Sequence, residues 1–383
     1  MSIHTAEMSG ELLFNHADDA DEPLQIWLRR FEFSNRQIRY LLDENNHSAR
    51  RIRRILTVRH PNLGIEQVII LKTPDEFNPA QYYITIRINP QLLIERQRTL
   101  HLFNPSEENN ALLLTAFQEA MSTFDDNFAM TDFSTYNCAR LDMTHDFRFE
   151  TREQAQLFMR LIRRTSRYIR HREQRIAHNE PILDQSVAEA NKSYKIICYD
   201  KQRQIRKMYR GVPDDEMELL LSQAENVVRF EIQCGKNKIY YLKKSNNFDS
   251  RNIWNYLNEE MIHYNLQKAY RETIGEGNFC YFHRVQQILN NADMRPSTRT
   301  NLYNFMRLIS NAGCLSEGKR QFLRGRTISV NGNNVRVQGT EPTYYSRLRK
   351  LRELGINPIM IPPRLSSRYH IQELPNPYGE LLI

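Results

Sequence analysis

The stretch CARLDMTHD, residues 138–146, decides the predicted fold because apolar and polar side chains alternate along it. This period of two is typical of a β-strand that turns one face to a core and leaves the other face open. Leu141, Met143 and His145 are expected on the core side. The side chains expected on the open side are Arg140, Asp142, Thr144 and Asp146.

Two further stretches, KIICYDK (195–201) and VVRFEIQC (227–234), have the same alternation. In the first, Tyr199 and Lys201 share a side opposite Ile196 and Cys198. In the second, Arg229 and Glu231 oppose a fully apolar set of residues. If the three strands belong to one sheet, a tyrosine, a lysine, two arginines and several carboxylates gather on one surface. We predict that this surface is free for chemistry.

The remaining sequence predicts an α+β core, with a largely antiparallel sheet flanked by helices. Strands are expected at 67–72 and 81–90, and Ser106 is a predicted cap for the helix that follows it. A further helix is expected at 214–226. The residues after Gly235, KIYYLKK, are expected to pair with 227–234 as a hairpin.

From about residue 250 the sequence is dominated by helical periodicity. The polar segment 326–339 is a candidate hairpin wing, and a basic helix follows it. We therefore predict three regions: a mobile acidic tail over 1–22, a catalytic α+β domain over 23–248, and a DNA-binding module over 249–383. The last region resembles a winged-helix or helix-turn-helix module.

The chain has 383 residues and a net charge of +8, which suits a nucleic-acid partner if the basic residues are clustered. A predicted helix over 151–176 is crowded with arginines and has almost no glutamate at helical spacing. It either contacts phosphates or is a solvated surface. The basic residues predicted to contact DNA are Arg87, Arg140, Arg163, Arg164, Arg167, Arg170, Arg229, Arg347, Arg349 and Lys350.

The sequence contains no apolar run near the roughly 20 residues that a membrane span needs, so no membrane partner is expected. The start of the chain has neither a basic segment nor a hydrophobic run of the kind found in signal peptides. We expect a cytoplasmic protein.

A tyrosine hydroxyl attacks phosphorus slowly unless a cation or a base assists it. Lys201 is predicted to lower the pKa of Tyr199 or to stabilise charge in the transition state. Asp142 and Glu231 offer the hard oxygen ligands that Mg²⁺ or Mn²⁺ prefers. The alternative is that these carboxylates form ordinary ion pairs with Arg140 and Arg229 across neighbouring strands.

The sequence resembles the gene II/X replication initiators of phages and plasmids. The resemblance rests on Asn89-Pro90, the helix LLLTAFQEA and the strands ARLDMTHD, IICYDK and VVRFEIQC, taken together. This family is similar to the rolling-circle initiators of filamentous phages. The resemblance covers about 64–245. It implies that Tyr199 nicks the plus origin and becomes joined to the 5′ phosphate, while the 3′ hydroxyl primes synthesis.

The resemblance also implies Asp142 and Glu231 as ligands of Mg²⁺ or Mn²⁺, with Asp146 as a further ligand. The His-hydrophobe-His motif of better-known rolling-circle enzymes is missing from this sequence, so the implied metal site is made mainly of carboxylates. The implied partners are double-stranded origin DNA, the displaced single strand, and a helicase and polymerase of the bacterial host.

Two other functions remain open. A DNA-binding replication regulator or repressor could use the same fold without catalysis. An RNA-binding protein that stacks bases on Tyr83 and Tyr199 is a third interpretation, although unneutralised carboxylates on that face would repel RNA.

Overall fold

The computed structural model describes residues 1–12, 53–60, 64–72, 82–122, 135–165, 186–190, 193–208, 214–330 and 332–382. Its strands are β1 (Ser2–Leu12), β2 (Arg53–His60), β3 (Ile65–Lys72), β4 (Tyr82–Ile88), β5 (Asn137–Arg148), β6 (Ser186–Ala190), β7 (Tyr194–Asp200), β8 (Val227–Cys234), β9 (Phe279–Cys280), β10 (Arg326–Val330), β11 (Asn333–Val337) and β12 (Glu373–Leu374). Its helices are α1 (Pro90–Glu95), α2 (Glu107–Ser122), α3 (Arg152–Ile162), α4 (Lys201–Met208), α5 (Asp214–Gln223), α6 (Lys236–Ser245), α7 (Glu259–Thr273), α8 (Phe282–Asn291), α9 (Pro296–Ala312), α10 (Leu315–Arg324), α11 (Glu341–Glu353) and α12 (Pro363–Tyr369).

The chain divides into two compact units, each built from separated segments. The first unit comprises Met1–Thr144, Lys192–Tyr194 and Ile232–His263, and the second comprises His145–Asn191, Lys195–Glu231 and Tyr264–Ile383. The division passes through β5 and β8. The predicted boundary between 248 and 249 does not coincide with it, and the assignment of cutting and DNA-binding roles to the two predicted regions stays a prediction.

The first unit contains strands in the order β2-β3-β4-β1-β5. The pairings of β1 with β4 and β5, and of β3 with β2 and β4, are antiparallel. Alternation in β4 places Ile84, Ile86 and Ile88 in the core, as the sequence predicts. Ser106 accepts a hydrogen bond from the backbone N–H of Asn109, at 3.1 Å, and so caps α2 as expected.

The expectation of a mobile tail over 1–22 is wrong for the residues of β1, which pair with strands on both sides. Residues 13–22 lie outside the described residues. The pairing of β1 with β5 contains irregularities between Ile3 and Thr5 and between Glu7 and Met8. Because a bulge changes which residues face the core, β1 lacks a simple period of two in its sequence. Ile3, Ala6 and Met8 are its buried apolar residues.

The predicted hairpin after Gly235 is also wrong, since α6 occupies those residues. Ile239 and Leu242 are its buried side chains, and their spacing of three is helical. Tyr240 and Tyr241 are exposed. The run IYYL therefore buries one side of a helix, whereas a strand would have buried every second residue.

The second unit contains strands in the order β5-β8-β7-β6, and β6 pairs with β7 antiparallel. Phe147 of β5 and Phe230 of β8 both make aromatic contacts with Tyr270 of α7, which anchors that helix in the core of this unit. The prediction of an α+β fold with a mainly antiparallel sheet is confirmed. In the described residues, every helix is too short or too polar to cross a membrane.

The polar hairpin predicted at 326–339 is present as β10 and β11, paired antiparallel. Gly332 has φ +82°, a left-handed conformation that suits glycine in a tight turn. Helices α9, α10 and α11 flank the hairpin in sequence, and Phe305, Phe322 and Tyr344 pack together among them. The winged-helix assignment itself stays a prediction.

Candidate active site

The hydroxyl of Tyr199, on β7, donates a hydrogen bond to Oε2 of Glu231, on β8, at 3.2 Å. Both side chains are buried: Tyr199 is 8% exposed and Glu231 is 3% exposed. The sequence predicts these residues on neighbouring polar faces, and the structure brings them into contact. The predicted nucleophile therefore has a carboxylate in place to accept its proton.

Arg229, two residues before Glu231 on β8, forms a paired hydrogen bond with Asp146 of β5. Its Nε donates to Oδ1 at 2.6 Å and its NH2 group donates to Oδ2 at 2.7 Å. Arg229 is 1% exposed. The guanidinium is thus held by Asp146 inside the unit, and its role as a DNA contact stays a prediction.

Lys201 completes this group of residues, which we call the tyrosine cluster: Tyr199, Lys201, Arg229, Glu231 and Asp146. The structure places Lys201 at the first position of α4, instead of on the strand with Tyr199. Asp200 explains the change, because its Oδ1 accepts a hydrogen bond from the N–H of Arg203 and caps the helix. The Nζ of Lys201 donates to Gln204 at 2.9 Å.

Burial and nearby charges shift the titration of this cluster. Burial raises the pKa of Tyr199 well above its ordinary value, Glu231 raises it further, and Arg229 opposes them. Burial lowers the pKa of Lys201 to about 7, with a further contribution from Arg229. Burial disfavours the charge of Arg229, but Asp146 outweighs that effect and its pKa is raised. The phenol is consequently held protonated in this conformation, and Lys201 can gain or lose a proton near neutral pH.

The expectation that the polar faces are open is wrong for the residues of this cluster on β7 and β8. Seven of the eight residues of β8 are buried, including Arg229 and Glu231. A strand covered on both faces can still alternate in sequence when its polar face is satisfied by ion pairs and hydrogen bonds. The alternation indicates which side chains share a face, but it carries no information about what covers that face.

In the first unit, Arg140 and Asp142 of β5 form a second paired arrangement. The Nε and NH2 groups of Arg140 donate to the two carboxylate oxygens of Asp142 at 2.8 and 2.7 Å. Asp142 is buried, whereas the arginine is partly exposed. The two side chains share a face, as the sequence predicts.

The three carboxylates predicted as metal ligands already have partners in this conformation. Asp142 is bound by Arg140, Asp146 by Arg229, and Glu231 accepts from Tyr199. Within the part of the chain that the structure describes, no group of three or more His, Cys, Asp or Glu side chains is arranged to hold a metal ion. The side chains in this conformation therefore do not fit the implied Mg²⁺ or Mn²⁺ site.

The other predicted DNA contacts have varied surroundings. Arg87 is paired with Glu7 in the first unit. Arg347 lies over the rings of Phe305 and Phe322, and burial lowers its pKa. Its neighbours on α11, Arg349 and Lys350, are exposed. Arg163 and Arg164 follow the last residue of α3, while Arg167 and Arg170 lie outside the described residues.

The sequence prediction did not include Asp200, whose carboxylate accepts from Arg152 at the start of α3 as well as capping α4. The sequence does contain a signal for it, because an aspartate that directly precedes a polar run is a typical helix cap. The ion pair between Asp200 and Arg152 connects the residue that follows Tyr199 to α3, which lies in the same unit.

Comparison with known proteins identifies the region that contains this site. Residues 101–257 match the family model for the N-terminal part of the gene II replication-associated protein. No curated protein and no solved structure matched the chain. The matched residues include Asp142, Asp146, Tyr199, Lys201, Arg229 and Glu231. The resemblance predicted from the sequence is thereby confirmed for residues 101–257, which are similar to the gene II-like phage replication initiators.

Proposed function

We propose that the protein initiates rolling-circle replication by nicking one strand of a double-stranded origin with Tyr199 and later rejoining that strand. The observation that supports it best is the hydrogen bond from the Tyr199 hydroxyl to Glu231, inside the region that matches the replication-associated family. A tyrosine nucleophile needs a base within hydrogen-bonding distance, and Glu231 meets that requirement.

In the proposed step, the phenolic oxygen of Tyr199 attacks the scissile phosphorus while its proton passes to Glu231. The bond from phosphorus to the 3′ oxygen breaks, and the DNA 5′ phosphate stays joined to the tyrosine. The released 3′ oxygen takes a proton from the ammonium group of Lys201, whose pKa of about 7 suits a proton donor near neutral pH. Rejoining is the same transfer in reverse, with the 3′ hydroxyl as the attacking group.

Two conditions accompany this proposal. Tyr199 is 8% exposed, so its hydroxyl must be uncovered before a phosphate can reach it, and we expect origin binding to do this. The resemblance implies Mg²⁺ or Mn²⁺, which would withdraw charge from the phosphate. Because the three carboxylates have other partners in this conformation, the metal stays part of the proposal and its ligands are not assigned.

The test uses a supercoiled, uniformly radiolabelled plasmid that carries the plus origin of the replicon encoding the protein. The wild-type chain with Mn²⁺ or Mg²⁺ should give nicked DNA and, on a denaturing gel, a labelled strand linked to protein through its 5′ end. Tyr199→Phe should abolish both products and leave origin binding within about twofold, because only one hydroxyl is removed. A parallel reaction with a chelator measures the metal requirement.

Tyr83→Phe is the matched control, since it removes a phenolic hydroxyl from β4 of the first unit and should nick normally. Full nicking by Tyr199→Phe, or a wild-type chain that forms no protein-linked end on its own origin, contradicts the catalytic proposal.

A non-catalytic replication regulator is the second candidate. The burial of Tyr199 favours it, together with the pairing of Arg229 and Asp146 in an arrangement that could simply hold β5 and β8 together. In that case Tyr199→Phe would repress or regulate replication as well as the wild type does.

A replication-associated protein acts with origin DNA, and we propose a helicase and a polymerase of the bacterial host as its further partners.

A further inference from the structure

A cavity of about 360 Å³ in the second unit is lined mainly by arginines from two helical segments. We call it the arginine pocket, and its cationic residues are Arg160, Arg163, Arg164, Arg364 and Arg368. The other described residues that line it are Pro362 and Leu365, so no acidic side chain is among them. Positive charges that converge on one concave surface repel one another, and an anion bound among them relieves that repulsion.

The arginines come from segments that are far apart in the chain. Arg160 lies in the last turn of α3, and Arg163 and Arg164 follow directly after its last residue. Arg364 and Arg368 are four residues apart on α12. The dipole of α3 favours cations at its end, but it does not account for the two arginines that α12 adds.

Contacts within the unit hold the pocket in place. The Nε of Arg160 donates to the hydroxyl of Tyr369 at 2.9 Å, which joins α3 to α12. The backbone carbonyl of Arg164 accepts from the N–H of Leu315 at 3.0 Å. Among the described residues, Arg160, Arg164, Arg364 and Arg368 form no ion pair with a carboxylate. Burial lowers the pKa of Arg164, as expected for a partly desolvated cation.

We propose that the arginine pocket binds backbone phosphates of a single DNA strand, such as the strand displaced at the origin. This inference rests on the proposed function. Guanidinium groups form paired hydrogen bonds with phosphate oxygens, and Pro362 and Leu365 offer an apolar surface to a sugar or base. A cavity of this volume admits a nucleotide of one strand.

The test measures the binding of a fluorescein-labelled oligothymidylate by anisotropy over a range of salt concentrations. The variant carries Arg364→Ala and Arg368→Ala, two exposed positions whose loss should not affect folding. The charge-matched control carries Arg295→Ala and Arg324→Ala, which are exposed in the same unit and do not line the pocket. Circular dichroism and thermal midpoints verify that both variants are folded.

Two lost phosphate contacts should lower the slope of log affinity against log salt concentration by about 1.4, with roughly tenfold weaker binding at low salt. The control should bind within about twofold of the wild type. Arg364→Lys with Arg368→Lys should recover part of the affinity, since the charge returns without the paired geometry. An equal loss in the control, or an unchanged slope in the pocket variant, overturns the proposal.

Competition experiments identify the source of the phosphate. Inorganic phosphate and a mononucleotide should displace the oligothymidylate only at concentrations far above those of an unlabelled strand. If either displaces it as effectively as the strand, the pocket is a small-anion site and the proposal for DNA fails. Tyr199→Phe should bind the oligothymidylate like the wild type, so a failure of nicking is distinguished from a failure of the pocket.

Discussion

The tyrosine cluster and the arginine pocket lie in the same unit, yet their arginines have opposite surroundings. Arg229 is buried and donates to both carboxylate oxygens of Asp146. Arg364 and Arg368 are exposed, and the described residues that line their cavity include no acidic side chain. A buried arginine that donates to a carboxylate is already engaged within the fold, whereas exposed arginines that converge without carboxylates are available to a ligand. Basic composition alone does not separate the two cases.

The largest loss of stability is expected from breaking the ion pair between Arg229 and Asp146 in the tyrosine cluster. Arg229→Met leaves the carboxylate of Asp146 without its cation in a mostly buried position, and this should lower the free energy of unfolding by about 3–5 kcal/mol. Urea denaturation gives the value. The double variant Arg229→Met with Asp146→Leu should recover most of the loss, because neither charge then remains buried.

An Arg229→Met chain as stable as the wild type would show that Asp146 does not depend on Arg229. A double variant no more stable than the single one would show that the pair contributes beyond mutual charge compensation.

The next largest effect is expected from the buried Lys201, which makes the free energy of unfolding depend on pH. Burial lowers its pKa from 10.5 to about 7, so between these values the unfolded chain binds more protons than the folded chain. The free energy of unfolding should therefore rise with pH across this window, by at most about 1.4 kcal/mol per pH unit. Below pH 7 the folded state bears the whole cost of the buried charge.

Lys201→Met should remove this dependence and be more stable than the wild type below the folded-state pKa of about 7, with the difference shrinking towards pH 10.5. Urea denaturation at a series of pH values measures it. Parallel stability curves for the two proteins would show that Lys201 titrates normally. Lys207→Met is a suitable control, because Lys207 is an exposed lysine of the same helix.

The smallest expected effect tests how the arginine pocket is held. Tyr369→Phe removes the hydroxyl that accepts from Arg160 and should weaken oligothymidylate binding about twofold to fivefold, equivalent to roughly 0.5–1 kcal/mol for one hydrogen bond. The slope against salt should stay unchanged, since no cation is lost. A lowered slope would mean that Tyr369 itself contributes to phosphate binding.

The core strands β5, β7 and β8 could be predicted well, because alternation records which side chains share a face. On that basis Tyr199, Arg229, Glu231 and Asp146 are placed on one surface from the sequence alone. The pairing of Tyr199 with Glu231 and of Arg229 with Asp146 is known only from the structure. Alternation does not show that β8 is covered on both faces. A buried polar face whose side chains form ion pairs and hydrogen bonds has the same sequence pattern as a polar face open to solvent. Helix α6 was missed because IYYL fits either period over so short a run.

The arginine pocket could not be predicted from the sequence in the same way. Arg163 and Arg164 stand out in an arginine-rich run, and Arg364 and Arg368 have helical spacing of their own. Their convergence depends on the packing of α3 against α12, which no local pattern encodes. Sequence spacing defines faces within an element, while a site shared by distant elements requires the tertiary structure.

The division of the chain through β5 and β8 has a practical consequence for work with fragments. A fragment that begins at residue 249 would carry a short piece of the first unit and would lack the strands that pack against Tyr270 in the second. Its binding behaviour would be that of an incomplete core. Experiments that assign DNA recognition to one part of the molecule are therefore better done by substitution in the whole chain than by truncation.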